Sequence, residues 1–124
     1  MTPERAAQAY GGMRVTTTRP QALVLLLYER ALLDIDRAQA AAEHGEAQTA
    51  AAALRHARSV VLELLASLDR ERGGELATNL AALYDFAFAS LAPPARREEV
   101  DAVREVLDGL LDAYRQVLEG QHAA

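Results

Sequence analysis

The side chains able to do chemistry in this 124-residue chain are three histidines, scattered serines, and the alternating charges Asp69-Arg70-Glu71-Arg72 followed by Glu75. A catalytic site needs a nucleophile, a base and an orienting group that converge, and a metal site needs several ligands at matched spacing. His44, His56 and His122 are far apart, and no H-E-x-x-H occurs. Glu119 and His122 have the Glu-x-x-His spacing of di-iron bundles, but they straddle Gly120 near the end of the chain. Such a site takes two of these motifs on facing helices. Ser59, Ser67 and Ser90 have no evident histidine partner. Asp69, Glu71 and Glu75, interleaved with arginines, read as solvated charge and helix-end electrostatics rather than a carboxylate cluster. There is no cysteine, hence no disulfide and no thiolate metal site, and no lysine for a Schiff base or a P-loop. The sequence therefore predicts no enzyme, no metal and no cofactor.

What remains is surface, and the elements that carry it. Hydrophobic residues make up 51% of the chain, with alanine, a strong helix former, in excess, which marks a single globular domain. The net charge is -5 and the arginines are dispersed among acids, so no basic stripe for nucleic acid is present. The longest apolar run, residues 22–28, is far below the ~20 residues that cross a bilayer. It lies between Arg19-Pro20 and Glu29-Arg30 with no small-residue cleavage site, so neither membrane insertion nor a signal peptide is expected, and the expected location is the cytoplasm.

Thr2-Pro3-Glu4 starts a short helix that Gly11-Gly12 stops. Residues 11–19 read as a loop or extended arm with Met13 and Val15 as its apolar side chains. Thr18 to Gln21 has the spacing of a capping box for the first long helix. Its apolar stripe is Val24, Tyr28, Ala31, Ile35, Ala38 and Ala42, ended by His44-Gly45. A second stripe runs Ala47, Ala50, Leu54, Ala57, Val61, Leu64 and Leu68 and is expected to end near Gly73-Gly74. A third is Leu76, Leu80, Leu83, Ala87 and Leu91, stopped by Pro93-Pro94. A fourth is Val100, Val103, Leu107, Leu110, Tyr114 and Val117, stopped by Gly120. Four amphipathic stripes joined by short corners predict an all-α, antiparallel four-helix bundle over residues 20–119, with a short N-terminal helix or arm (1–19) and a frayed tail (120–124).

Several residues, most of them apolar, fall off these stripes. At 100° per residue, Leu26 and Leu33 lie nearly opposite the first core stripe, among Glu29, Arg30 and Arg37. Leu62 lies off the second. Asn79, Ala82 and Phe86 lie far from the third, spaced i, i+3, i+7. Single surface leucines are ordinary. An aromatic with leucines on several helices marks an interaction surface, of the kind that receives a partner helix through i, i+3, i+4 and i+7 anchors.

Residues 68–86, from Leu68-Asp69 through Gly73-Gly74-Glu75 and Asn79-Leu80 to Leu83-Tyr84-Asp85-Phe86, resemble the signature of the flagellin export chaperones, the FliS family. Other segments agree in order and separation. Tyr10, Val15, the threonines and Pro20 resemble the family's N-terminal segment. Leu23 to Tyr28 with Glu29 and Ala31 resemble its first long helix, and Val106-Leu107 to Ala113-Tyr114 its closing helix. Arg19, Arg30 and Tyr114 depart from the family's usual serine, glycine and tryptophan.

The resemblance implies a cytoplasmic four-helix chaperone that wraps the disordered C-terminal segment of flagellin around itself, blocks premature polymerisation and presents the subunit to the type III export gate. It implies further that the N-terminal segment, with Tyr10, Met13 and Val15, covers part of the same surface in the free protein. The expected partner-binding residues are thus Tyr10, Met13, Val15, Leu26, Leu33, Leu62, Asn79, Ala82 and Phe86. An alternative is a helix-binding adaptor or regulator of the flagellar system with a different partner.

Overall fold

The structure, a computed structural model, describes residues 16–123. Four helices follow one another: α1 (Gln21–Glu43), α2 (Ala47–Ala66), α3 (Arg70–Ser90) and α4 (Arg97–Ala123). The corners are too short for anything but antiparallel neighbours. Cross-helix pairs descend α4 as they climb α1: Glu29 meets Arg115, Asp36 meets Arg104, Gln39 meets Asp101 and Glu43 meets Arg97. Helix α1 packs on α2 and α4, and α3 packs on the same two, so α1 and α3 face each other across the core.

The core follows the expected stripes with displacements. Val24, Tyr28, Ala31, Ile35 and Ala38 are buried on α1, and Leu54, Ala57, Val61 and Leu64 on α2. At the α1–α2 corner the stripe loses its outermost alanines: Ala41 is buried while Ala42 and Ala47 are exposed, and Ala50 is half-buried. On α3 the buried residues are Ala77, Leu80, Ala81, Tyr84 and Ala87. Leu83, expected inside, is 36% exposed, while Tyr84 is 1% exposed. On α4, Leu111 is buried and Leu110 packs half-buried against the same core. The helix passes through Gly120 to Ala123. One glycine costs a helix only about 1 kcal/mol relative to alanine, which does not stop it.

The corner between α2 and α3 differs most from expectation. Helix α2 does not reach Gly73-Gly74; it ends at Ser67, and Asp69 caps a new turn by accepting the Arg72 amide at 3.1 Å. Gly74 then breaks the regular backbone, with φ 53° and ψ −131°, a conformation that disfavours any Cβ. Gly73 is needed for a different reason. A Cβ there would lie 2.6 Å from the Ala77 Cβ and 2.9 Å from the Thr16 Cα. Residues 16–18 run along this corner as a strap, in an antiparallel bridge between Thr17 and Leu68. The Thr18 amide donates to the Ser67 carbonyl at 2.7 Å and the Asp69 amide to the Thr16 carbonyl at 2.5 Å. The Thr18 hydroxyl also donates to the Ser67 carbonyl, at 3.2 Å. It does not cap α1, whose N-cap is Pro20 with no side-chain bond, so the expected capping box does not form.

Candidate partner-binding surface

Three tyrosines sit inside the half of the bundle that bears the strap. Tyr28 and Tyr84 share a hydrogen bond between their hydroxyls, across the diagonal from α1 to α3. The Tyr28 ring is tilted against Tyr114, centroids 5.3 Å apart. The Tyr114 hydroxyl bonds Thr16, itself fully buried at the root of the N-terminal arm. Burial raises the pKa of all three phenols above the usual 10, because the charged form would lose its hydration. For Tyr114 the bond to Thr16 opposes that rise. These hydroxyls stay protonated at neutral pH. Each is satisfied inside the core, Tyr28 and Tyr84 by one another and Tyr114 by Thr16, as buried polar groups must be.

Other polar groups are likewise paired with neighbours. Asp34, 3% exposed, bonds the half-exposed His56 ring across the α1–α2 contact. The Arg58 guanidinium lies 3.8 Å from the Phe88 ring centroid and donates to the Phe88 carbonyl, joining α2 to α3. Among the described residues no group of three or more His, Cys, Asp or Glu side chains is arranged to hold a metal, and no helix is long and apolar enough to cross a membrane. A cavity of about 690 Å³ opens at the end away from the strap, lined by Ala38, Ala50, Leu54, Pro94 and Val100 among others. Its walls are mostly alanine methyl groups and proline rings, with Gln39 among them, and its charged residues, Glu43 and Arg97, are mutually paired at 3.7 Å.

The exposed apolar residues are the distinctive feature. Leu26 is 58% exposed and Phe86 43%, and Leu23, Leu33, Leu62 and Leu83 are exposed as well. Asn79 and Ala82 are exposed on the same face of α3 as Phe86. Leu83 completes that face: positions 79, 82, 83 and 86 have the i, i+3, i+4, i+7 spacing of a helix-docking surface. Assigning Leu83 to the core hid this, although the spacing is in the sequence. On α1 the exposed face carries Leu23, Leu26, Arg30, Leu33 and Arg37. Leu23 also escaped the sequence reading. The structure does not gather these residues into one patch. The outer faces of α1 and α3 point away from each other across the bundle, with Leu62 on α2 between them. Tyr10, Met13 and Val15 lie outside the described residues. The last described residue before them, Thr16, is wedged between Gly73 of α3 and Tyr114 of α4.

The chain resembles known proteins over most of its length. The profile of the family "Flagellar protein FliS" matches residues 3–121. The chain is 33% identical over 107 residues to the flagellar secretion chaperone FliS of Salmonella typhimurium, covering 83% of this chain and 79% of that one. It is 31% identical over 122 residues to the flagellar secretion chaperone FliS of Campylobacter jejuni, covering 96% and 95%. A crystal structure of a bacterial flagellar chaperone superposes with a TM-score of 0.74 at 23% identity, covering 84% of this chain and 87% of that one, which bears on the fold alone. With the Gly73-Gly74 corner, the helical ring and the family profile in agreement from one end to the other, the chain belongs to the FliS family of flagellar secretion chaperones.

Proposed function

We propose that this protein is a cytoplasmic chaperone for flagellin, holding the subunit's disordered C-terminal segment around the bundle, preventing its polymerisation and delivering it to the type III export gate. The observation that carries this reading is the placement of exposed apolar residues on the outer faces of three helices, from Leu26 and Leu33 through Leu62 to Ala82 and Phe86, with Asn79 on the same face as the last two. A compact partner would touch one face; an extended segment reaches all of them. A disordered segment must lose conformational entropy on binding, and burial of ~1,000–3,000 Å² compensates that loss in coupled folding. No nucleotide or metal is required for such an exchange.

The N-terminal arm acts as a displaceable lid in this reading. Thr16 packs on Gly73 and bonds Tyr114, so Met13 and Val15 lie within chain reach of the first turns of α3, and Tyr10, about 20 Å of extended chain from Thr16, within reach of Leu83, about 15 Å along the helix from Gly73. A covered site binds with an affinity reduced by its open fraction. Deleting residues 1–15 is expected to promote self-association of the free protein and to leave flagellin affinity unchanged or tighter; weaker binding would make the arm a grip instead. The function itself is tested by calorimetric titration with flagellin from the same organism, intact and lacking its last ~40 residues, about the length needed to bury the area expected for coupled folding. Binding should be lost with the segment. Equal affinity for both forms would overturn the reading.

A further inference from the structure

The outer face of α1 has a second regular seam. Leu23, Leu26, Arg30, Leu33 and Arg37 recur in alternating steps of three and four residues, the spacing of a coiled-coil a/d stripe. The buried stripe of the same helix, through Val24, Tyr28, Ala31 and Ile35, already packs the core, so this seam faces outward with three exposed leucines. Its charge is one-sided. The acids flanking it are engaged with neighbours: Glu29 with Arg115, Asp34 with His56 and Arg37, Asp36 with Arg104, and Glu63 of α2 with Arg19. Arg30, in the middle of the seam, makes no ion pair among the described residues, and the 4.0 Å contact of Arg37 with Asp34 leaves it 63% exposed. The docking helix α3 is different, with the exposed acids Glu75, one turn before Asn79, and Asp85, next to Phe86 in sequence, and no described ion pair for either.

We propose that the α1 seam receives an acidic amphipathic helix, which lays its apolar residues on Leu23, Leu26 and Leu33 and sets carboxylates against Arg30 and Arg37. A charged residue at an a position specifies its partner, because burying it unpaired is costly and only an opposite charge relieves that cost. A second copy of this chain would set the same seam against arginine or leucine and leave the cations unpaired. An acidic helix satisfies them. The inference rests on the reading of Leu26 and Leu33 as client contacts and adds the chemistry of the client element that lies there.

The test uses the full-length protein and two synthetic 21-residue amphipathic helices with identical leucine seams, one flanked by glutamates and one by arginines, with binding read by fluorescence anisotropy at low and high salt. The acidic peptide should bind the tighter of the two and weaken as salt rises. Arg30→Glu should weaken it at least about fivefold, the equivalent of roughly 1 kcal/mol, while the same charge reversal at Arg55, exposed on α2, should leave it unchanged. Equal or better binding of the arginine peptide, indifference to Arg30→Glu, or equal loss with Arg55→Glu would each overturn the proposal, as would dimerisation of the free protein through Leu26 and Leu33. Titration with the flagellin C-terminal segment separates the two levels. A segment that binds but ignores Arg30→Glu removes this inference and leaves the client reading intact. An acidic peptide that binds where the segment does not removes the client reading alone.

Discussion

Neighbouring side chains on α3 have opposite fates. Tyr84 is buried and bonded to Tyr28, while Phe86, two residues on, stands out from the bundle. Phe86→Asp should change stability by less than about 1 kcal/mol, as exposed substitutions usually do, yet weaken client binding by about 2 kcal/mol or more if it is an interface anchor. Tyr84→Ala should cost roughly 3–5 kcal/mol by opening the core and orphaning the Tyr28 hydroxyl. Urea denaturation separates the two; unfolding of the Phe86→Asp protein would place Phe86 among the structural residues. The exposure of Leu26, Leu33, Leu62, Asn79, Ala82 and Phe86 is legible from spacing alone. The exchange of Leu83 for Tyr84 is not, because a tyrosine enters a core only when its hydroxyl finds a partner, and that partner is on another helix.

At the scale of elements, the corner between α2 and α3 is held by two glycines with different duties. Gly74→Ala forces a side chain onto a positive φ and should cost about 1–2 kcal/mol. Gly73→Ala drives a methyl group into Ala77 and the backbone of Thr16, an overpacking of about 1–3 kcal/mol. Only the second should also release the strap, read as faster proteolysis near residues 16–20. Matching proteolysis of the two variants would contradict the division of labour. The Gly-Gly pair itself announces a corner. Its location within the first turns of α3, rather than at the end of α2, escapes a sequence reading because the cap on Asp69 and the strap across the corner are contacts between distant segments. The same holds for Thr18, whose hydroxyl could accept from the first amides of α1 but is placed by folding where it donates to the Ser67 carbonyl.

For the whole molecule, the buried tyrosines set an alkaline limit. Their folded pKa values are raised above the ordinary value of 10, so the stability they contribute is fully present below about pH 10. It is lost as pH rises from there through the raised folded values, since the unfolded chain releases phenolic protons first. Absorbance at 295 nm followed together with helical circular dichroism should find three of the four tyrosines ionising only as the helices melt. Ionisation of all four before any loss of helix would contradict the burial.

The bundle itself is legible in the four stripes. How they are arranged is not, and arrangement decides that the α1 and α3 faces are opposed. An extended client that wraps both faces and displaces the arm is the central claim. Hydrogen exchange of the full-length protein, with and without the flagellin C-terminal segment, tests it most directly. Bound protein should exchange more slowly along residues 23–37 and 79–86 and faster along residues 8–18; unchanged exchange on either helix face, or slower exchange in the arm, would contradict it.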